Sequence, residues 1–135
     1  MTYAGDVTPV DAFGLLESNP DTVLIDVRTP AELSYVGQPD LAGIGKQVVV
    51  VPWHPKLTGD QLGGLLFAAG VEATDQLLFI CRSGVRSLHA AKLATQVGFA
   101  RSHNVIYGFE GNLDTSGHRG TLEGWKVDGL PWKQS

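Results

Sequence analysis

Short apolar runs that alternate with segments of helical character constrain this chain more than any other feature of its sequence. The runs Thr22 to Val27, Val48 to Val51 and Gln76 to Ile80 are each followed by a stop or a helix-start signal. Strands alternating with helices define an α/β domain built on a mainly parallel sheet. At 135 residues the chain suffices for one compact domain and is too short for two ordinary ones. A single domain over residues 1–135 is therefore expected, with a glycine-rich tail from about residue 108 that reads as loop and a short closing helix.

Capping residues mark the helices. Thr8-Pro9 pairs an N-cap with a first-turn proline and opens a helix whose Ala12, Leu15 and Leu16 share a face, ended by Asn19-Pro20-Asp21. Thr29-Pro30 opens a second, short helix. A glycine-containing loop over residues 37–47 leads to Val48-Val49-Val50-Val51, whose unbroken apolar character predicts a strand covered on both faces and stopped by Pro52. Thr58 caps a helix carrying Leu62, Leu65 and Leu66, closed by Gly70. After the strand ending at Ile80, Leu88, Ala91 and Ala94 or Thr95 recur at helical spacing up to Gly98, and a last strand is expected around Asn104 to Tyr107.

Composition narrows the function classes. With 43% hydrophobic and 18% charged residues the chain is globular, and its net charge of −4 with dispersed Lys and Arg gives no surface for nucleic-acid phosphates. Its apolar runs fall short of the roughly 20 residues of a membrane span, and Met1 to Asp6 lack the blocks of a signal peptide. A cytoplasmic protein with no membrane partner is expected. His54, His89, His103 and His118 are dispersed and only one cysteine is present, so no metal site and no cofactor are expected.

That cysteine, Cys81, cannot form an internal disulfide and is either a buried apolar filler or a reactive thiol. Its position favours reactivity, because ligands of open α/β sheets bind beyond the carboxyl ends of the strands, where substrates can reach the sulfur. Ser83-Gly84 lets the backbone curl, and a helix starting near Arg86 aims unpaired N–H groups at the sulfur. These amides, the helix dipole and the charges of Arg82 and Arg86 favour a thiolate over a thiol. The same cradle suits a terminal persulfide, and Arg82 or Arg86 is placed to hold the oxyanion of a thiosulfate-like donor.

Three segments together carry a family resemblance: Asp26-Val27-Arg28-Thr29-Pro30-Ala31-Glu32, the loop Cys81-Arg82-Ser83-Gly84-Val85-Arg86-Ser87, and Gly124-Trp125 through Gly129-Leu130-Pro131. They resemble the rhodanese-like domain of single-domain sulfurtransferases, over nearly the whole chain. The resemblance implies a three-layer sandwich with a central, mainly parallel five-stranded sheet flanked by helices. It implies Cys81 as the catalytic residue and Arg82, Ser83, Gly84, Val85, Arg86 and Ser87 as its substrate-binding loop. Thiosulfate or a related donor, a thiol or cyanide acceptor, and a protein sulfur donor are the implied partners. Asp26 and Arg28 are read as support, a buried carboxylate bonding loop amides and an ion pair that fixes the strand end.

Four residues separate Cys81 from Arg86. Cell-cycle dual-specificity phosphatases of the same fold have one more, which leaves a phosphatase or arsenate reductase as the weaker alternative, beside a sulfur-relay or regulatory module of low turnover. The family's usual Gly-His-Ile-Pro-Gly-Ala segment is replaced by Val36 to Ile44, which lacks the histidine, and an insertion containing Asp114 to Gly120 precedes Trp125. Trp53 and His54 are candidates for the pocket border, His89 for a solvent-facing helix position, Glu110 for the site mouth, and Trp125 and Trp132 for apolar anchors of the tail.

Overall fold

The computed structural model describes residues 2–134. The chain runs β1 (Gly5–Val7), α1 (Pro9–Ser18), β2 (Thr22–Asp26), α2 (Pro30–Val36), β3 (Gln38–Pro39), a 3-10 turn (Ala42–Ile44), β4 (Val49–Val50), α3 (Gly59–Ala68), β5 (Gln76–Ile80), α4 (Val85–Gln96), β6 (Ser102–Val105) and β7 (Trp132–Lys133). Five strands form one sheet in the order β1-β6-β5-β2-β4, every pair parallel. β3 and β7 make a separate antiparallel pair that brings the end of the tail against Gln38 and Pro39.

Local chemistry explains the helix starts. Thr8, Thr29 and Thr58 each accept the amide N–H three residues on, and Glu32 and Gln61 complete capping boxes at α2 and α3. Pro9 and Pro30 occupy first-turn positions where a missing N–H costs nothing.

Side chains alternate along the central strand, and so the core is split in two. Leu77 and Phe79 of β5 join Ile25, Leu62, Leu66, Ala90, Ala91, Ala94 and Phe99 under α3 and α4. Leu78 and Ile80 join Ala12, Leu16, Leu24, Val105, Phe109 and Trp125 on the opposite face, under α1 and the tail. The result is the expected three-layer α/β architecture with a five-stranded sheet at its centre.

Several elements differ from the sequence reading. The Val48–Val51 run supplies only Val49 and Val50 as strand, at the sheet edge, and Val50 is exposed. An apolar run does not distinguish a doubly covered strand from an edge. β6 begins at Ser102, because parallel pairing of Leu77 with Ser102 and Leu78 with His103 draws polar residues into the ladder. The tail forms turns and β7 in place of a closing helix. Among the described residues no helix is long and apolar enough to cross a membrane.

Candidate active site

β5 ends at Ile80 and the next residue is Cys81. Alternation from Leu77 and Phe79 turns the Cys81 side chain onto the face covered by α3 and α4. There it is 1% exposed. The expectation that substrates reach an open sulfur is therefore corrected: the strand tip is at the carboxyl edge of the sheet, but the thiol is tucked beneath the start of α4. The expected orientation of the amides does appear, since Gly84 N–H lies 3.2 Å and Ser87 N–H 3.4 Å from Sγ. The Ser87 hydroxyl is also 3.2 Å from Sγ.

The loop reaches this shape through Gly84, the N-cap of α4, at φ 105°. A left-handed backbone at that point turns the chain from strand into helix within the four residues between Ile80 and Val85, and glycine adopts it without a Cβ penalty. Helix α4 begins at Val85, one residue before the expected start. Among the described residues the backbone amides of Arg82, Ser83, Val85 and Arg86 have no hydrogen-bond acceptor. Val85 presents its side chain to solvent, as does Arg82.

Arg86 differs from expectation. Its Nη1 and Nη2 donate to the two carboxylate oxygens of Glu32 at 2.7 and 2.8 Å, a bidentate pair about one quarter exposed. The guanidinium is thus committed to α2 and is not a free hand for a donor oxyanion. The Arg86 hydrogen bonds hold the Glu32 carboxyl down at about 2, aided by the Thr29 amide and against the cost of burial. Glu32 in turn raises Arg86 above its usual range, with smaller contributions from Cys81 and Asp26.

Asp26 and Arg28 form the expected buried ion pair, both fully enclosed, with Nε and Nη2 of Arg28 at 2.8 to 3.2 Å from the carboxylate. Among the described residues the only loop amide on Asp26 is that of Arg28 itself, so Asp26 supports the strand end and makes no hydrogen bond to the Cys81 loop. Arg28 lies over the Phe109 ring at 4.3 Å, and its Nη1 has no hydrogen-bond partner among the described residues.

Asn104 and the backbone of the tail contribute to the site in ways the sequence did not indicate, although Glu110 was a candidate for the site mouth. Asn104, at the end region of β6, accepts from the Ser87 hydroxyl at 2.6 Å and donates to Gly84 O at 3.2 Å and to Asp6 at 3.4 Å. The tail clamps the loop from below: Phe109 N–H donates to Cys81 O and Glu110 N–H to Arg82 O, both at 2.9 Å. Gly108 makes this approach possible, because a Cβ there would sit 2.3 Å from Cys81 O. Glu110 thus contributes its backbone to the site. Asn112 donates to the Glu123 carboxylate and Asp114 accepts from Ser116, His118 and Thr121, while Gly120 N–H donates to Glu110 O and Arg119 Nη1 to Gly111 O, both at 2.8 Å, so the insertion folds on itself and against the segment behind the loop.

Trp125 is buried and donates from its indole to Pro131 O at 2.7 Å, while Trp132 meets Phe109 edge-on. His89 stacks on Trp53 at 6.2 Å between ring centroids, and His54 is exposed. No three His, Cys, Asp or Glu side chains cluster as metal ligands among the described residues.

A parallel five-stranded sheet with a cysteine loop between its central strand and a helix start defines the rhodanese-like fold. The rhodanese-like domain of an Anabaena protein shares it at TM-score 0.62 and 16% identity, over 100% of this chain and 81% of that one, a likeness of fold alone. The chain belongs to the STR4 middle domain family, whose model matches residues 5–135. It is similar to the crystal structure of Rv0390 from M. tuberculosis, at 44% identity and TM-score 0.85, covering 99% of this chain and 100% of the other. It is also similar to the polysulfide-sulfur transferase homodimer of Wolinella succinogenes, at 29% identity and TM-score 0.66, covering 96% of this chain and 78% of that one.

Proposed function

We propose that the protein is a sulfurtransferase in which Cys81 carries sulfane sulfur as a persulfide. The observation that carries this reading is the pair of amides, Gly84 and Ser87, within 3.4 Å of a sulfur placed directly after the central strand. Hydrogen bonds from backbone N–H groups favour the anionic sulfur that attacks. The Cys81 thiolate attacks the outer sulfur of thiosulfate, a Cys81 S–S bond forms, the donor S–S bond breaks, and sulfite leaves with the electron pair. A cyanide or thiolate acceptor then attacks the outer sulfur, and the Cys81 thiolate returns. The likeness to a polysulfide-sulfur transferase supports a donor of the same sulfane class.

Intact mass after incubation with thiosulfate tests the reading. A gain of one sulfur atom, removed by a reducing thiol and absent in Cys81→Ser, is expected. A folded Cys81→Ser variant that still transfers sulfur would refute it.

A second reading, a relay module loaded by a partner protein with little thiosulfate turnover, is favoured by the burial of the thiol and by the commitment of Arg86 to Glu32. Loading from a protein persulfide that greatly outpaces thiosulfate:cyanide transfer would select it.

A further inference from the structure

The hydroxyl of Ser87 has one hydrogen and two neighbours that compete for it. Oγ lies 3.2 Å from Cys81 Sγ and 2.6 Å from Asn104 Oδ1. The orientation of the Asn104 amide is set from its other end, where Nδ2 donates to Gly84 O at 3.2 Å and to the Asp6 carboxylate at 3.4 Å. Asp6 is an acceptor and is itself bonded by Tyr3 Oη at 2.7 Å, so the amide nitrogen belongs on that side and the carbonyl oxygen on the Ser87 side. An amide oxygen cannot donate. The short contact between Ser87 and Asn104 is therefore Ser87 O–H donating to Oδ1.

This leaves Ser87 lone pairs, and no hydrogen, toward the sulfur. A lone pair accepts from a thiol S–H and repels a thiolate. We propose that Asn104 is a positioning residue that holds Cys81 as a thiol by claiming the single hydrogen of Ser87. Loss of the thiol proton to water leaves an anion facing those lone pairs unless the Ser87 hydrogen turns from Asn104 to the sulfur. The amides of Gly84 and Ser87 favour the anion, and the Ser87–Asn104 contact opposes them.

The charged groups around the sulfur do not remove this control. Arg86 of α4 is occupied by Glu32 of α2, Asp26 of β2 is neutralised by Arg28, and Asp6 of β1 is held by Tyr3 and Asn104. The inference rests on Cys81 being the reactive thiol, yet its readouts need no turnover. Transfer by Cys81→Ser would sink the proposed function and leave the hydrogen-bond polarity untouched.

Thiolate ultraviolet absorbance and the rate of iodoacetamide alkylation at neutral pH test it, in Asn104→Ala, Ser87→Ala and the double variant. Asn104→Ala frees the Ser87 hydrogen for the sulfur and should raise both readouts roughly two- to tenfold, the span of one hydrogen bond. In the Ser87→Ala background the same change should do nothing further, because the hydrogen it releases is gone. An Asn104→Ala variant with unchanged or lower thiolate absorbance overturns the proposal, as does an equal rise in the absence of Ser87. Should Asn104→Ala fail to fold, Ser87→Ala alone decides by sign: a Ser87 that accepts from the thiol leaves thiolate absorbance unchanged or higher when removed, whereas a fall means that Ser87 donates to the anion.

Discussion

One carboxylate, that of Glu32, completes the α2 capping box and grips both ends of the Arg86 guanidinium. Its ordinary value of 4.5 drops to about 2 in the folded chain, so folding and ionisation are linked. Above about pH 4.5 the ionised group contributes its full stabilisation; between about 4.5 and 2 the unfolded chain takes up the proton first and the contribution fades. Glu32→Gln keeps a capping side chain and loses the charge, so it should cost about 1 kcal/mol at neutral pH, little because the pair is partly exposed. Urea melts should show that gap closing as pH falls toward 2, and a gap unchanged across the range would contradict the linkage. At Gly108, φ 58° and a Cβ position 2.3 Å from Cys81 O make Gly108→Ala costlier, about 2–4 kcal/mol by denaturant melts, from strain plus displacement of the loop. Some of this was legible in the residues and some was not. Cys81 follows Leu77 and Phe79 at period two, so its burial under α4 was readable from alternation and was overridden by its place at the strand tip. The Glu32–Arg86 pair spans 54 positions and the Ser87–Asn104 contact 17, separations at which no local pattern exists.

Helix α2 is short and buries no residue fully, yet it anchors the group that holds Arg86. Its cap therefore matters beyond its own length. Thr29→Ala and Thr58→Ala each remove an equivalent N-cap and should each cost about 1 kcal/mol. Only Thr29→Ala should also speed alkylation of Cys81, since Thr29 bonds the Glu32 carboxylate and Thr58 serves α3 alone. Equal alkylation rates in the two variants would show that α2 does not restrain the loop. At this scale the sequence was most readable where chemistry is local: among the described residues the four α-helix starts carry threonine caps or a positive-φ glycine, and Gln76–Ile80 is a strand as written. β1 escaped notice because Gly5-Asp6-Val7 has no strand character of its own and exists by pairing with His103 to Val105. β7 is likewise made by its partner, Gln38-Pro39.

Across the whole molecule, the sheet separates two apolar clusters, and the tail closes the one opposite α3 and α4. Trp125 at its centre depends on a single acceptor, Pro131 O. Ending the chain after Leu130 would remove that acceptor and β7 together, and should destabilise the fold by about 1–3 kcal/mol through the orphaned indole N–H alone. Thermal unfolding of the truncated chain in a Trp125→Phe background, where no indole needs a partner, should show a smaller loss. The glycine-rich tail was readable as loop, but its reach back to the cysteine was not, because Phe109 and Glu110 act through their peptide groups. A peptide plane gripped by its oxygen cannot turn over. With the oxygens of Cys81 and Arg82 tied to the tail, the hydrogens of those same two peptides, carried on Arg82 and Ser83 nitrogens, are committed to the opposite side before anything arrives. A negatively charged guest then meets dipoles that need no reorientation, and a positively charged one meets none that can swing to welcome it.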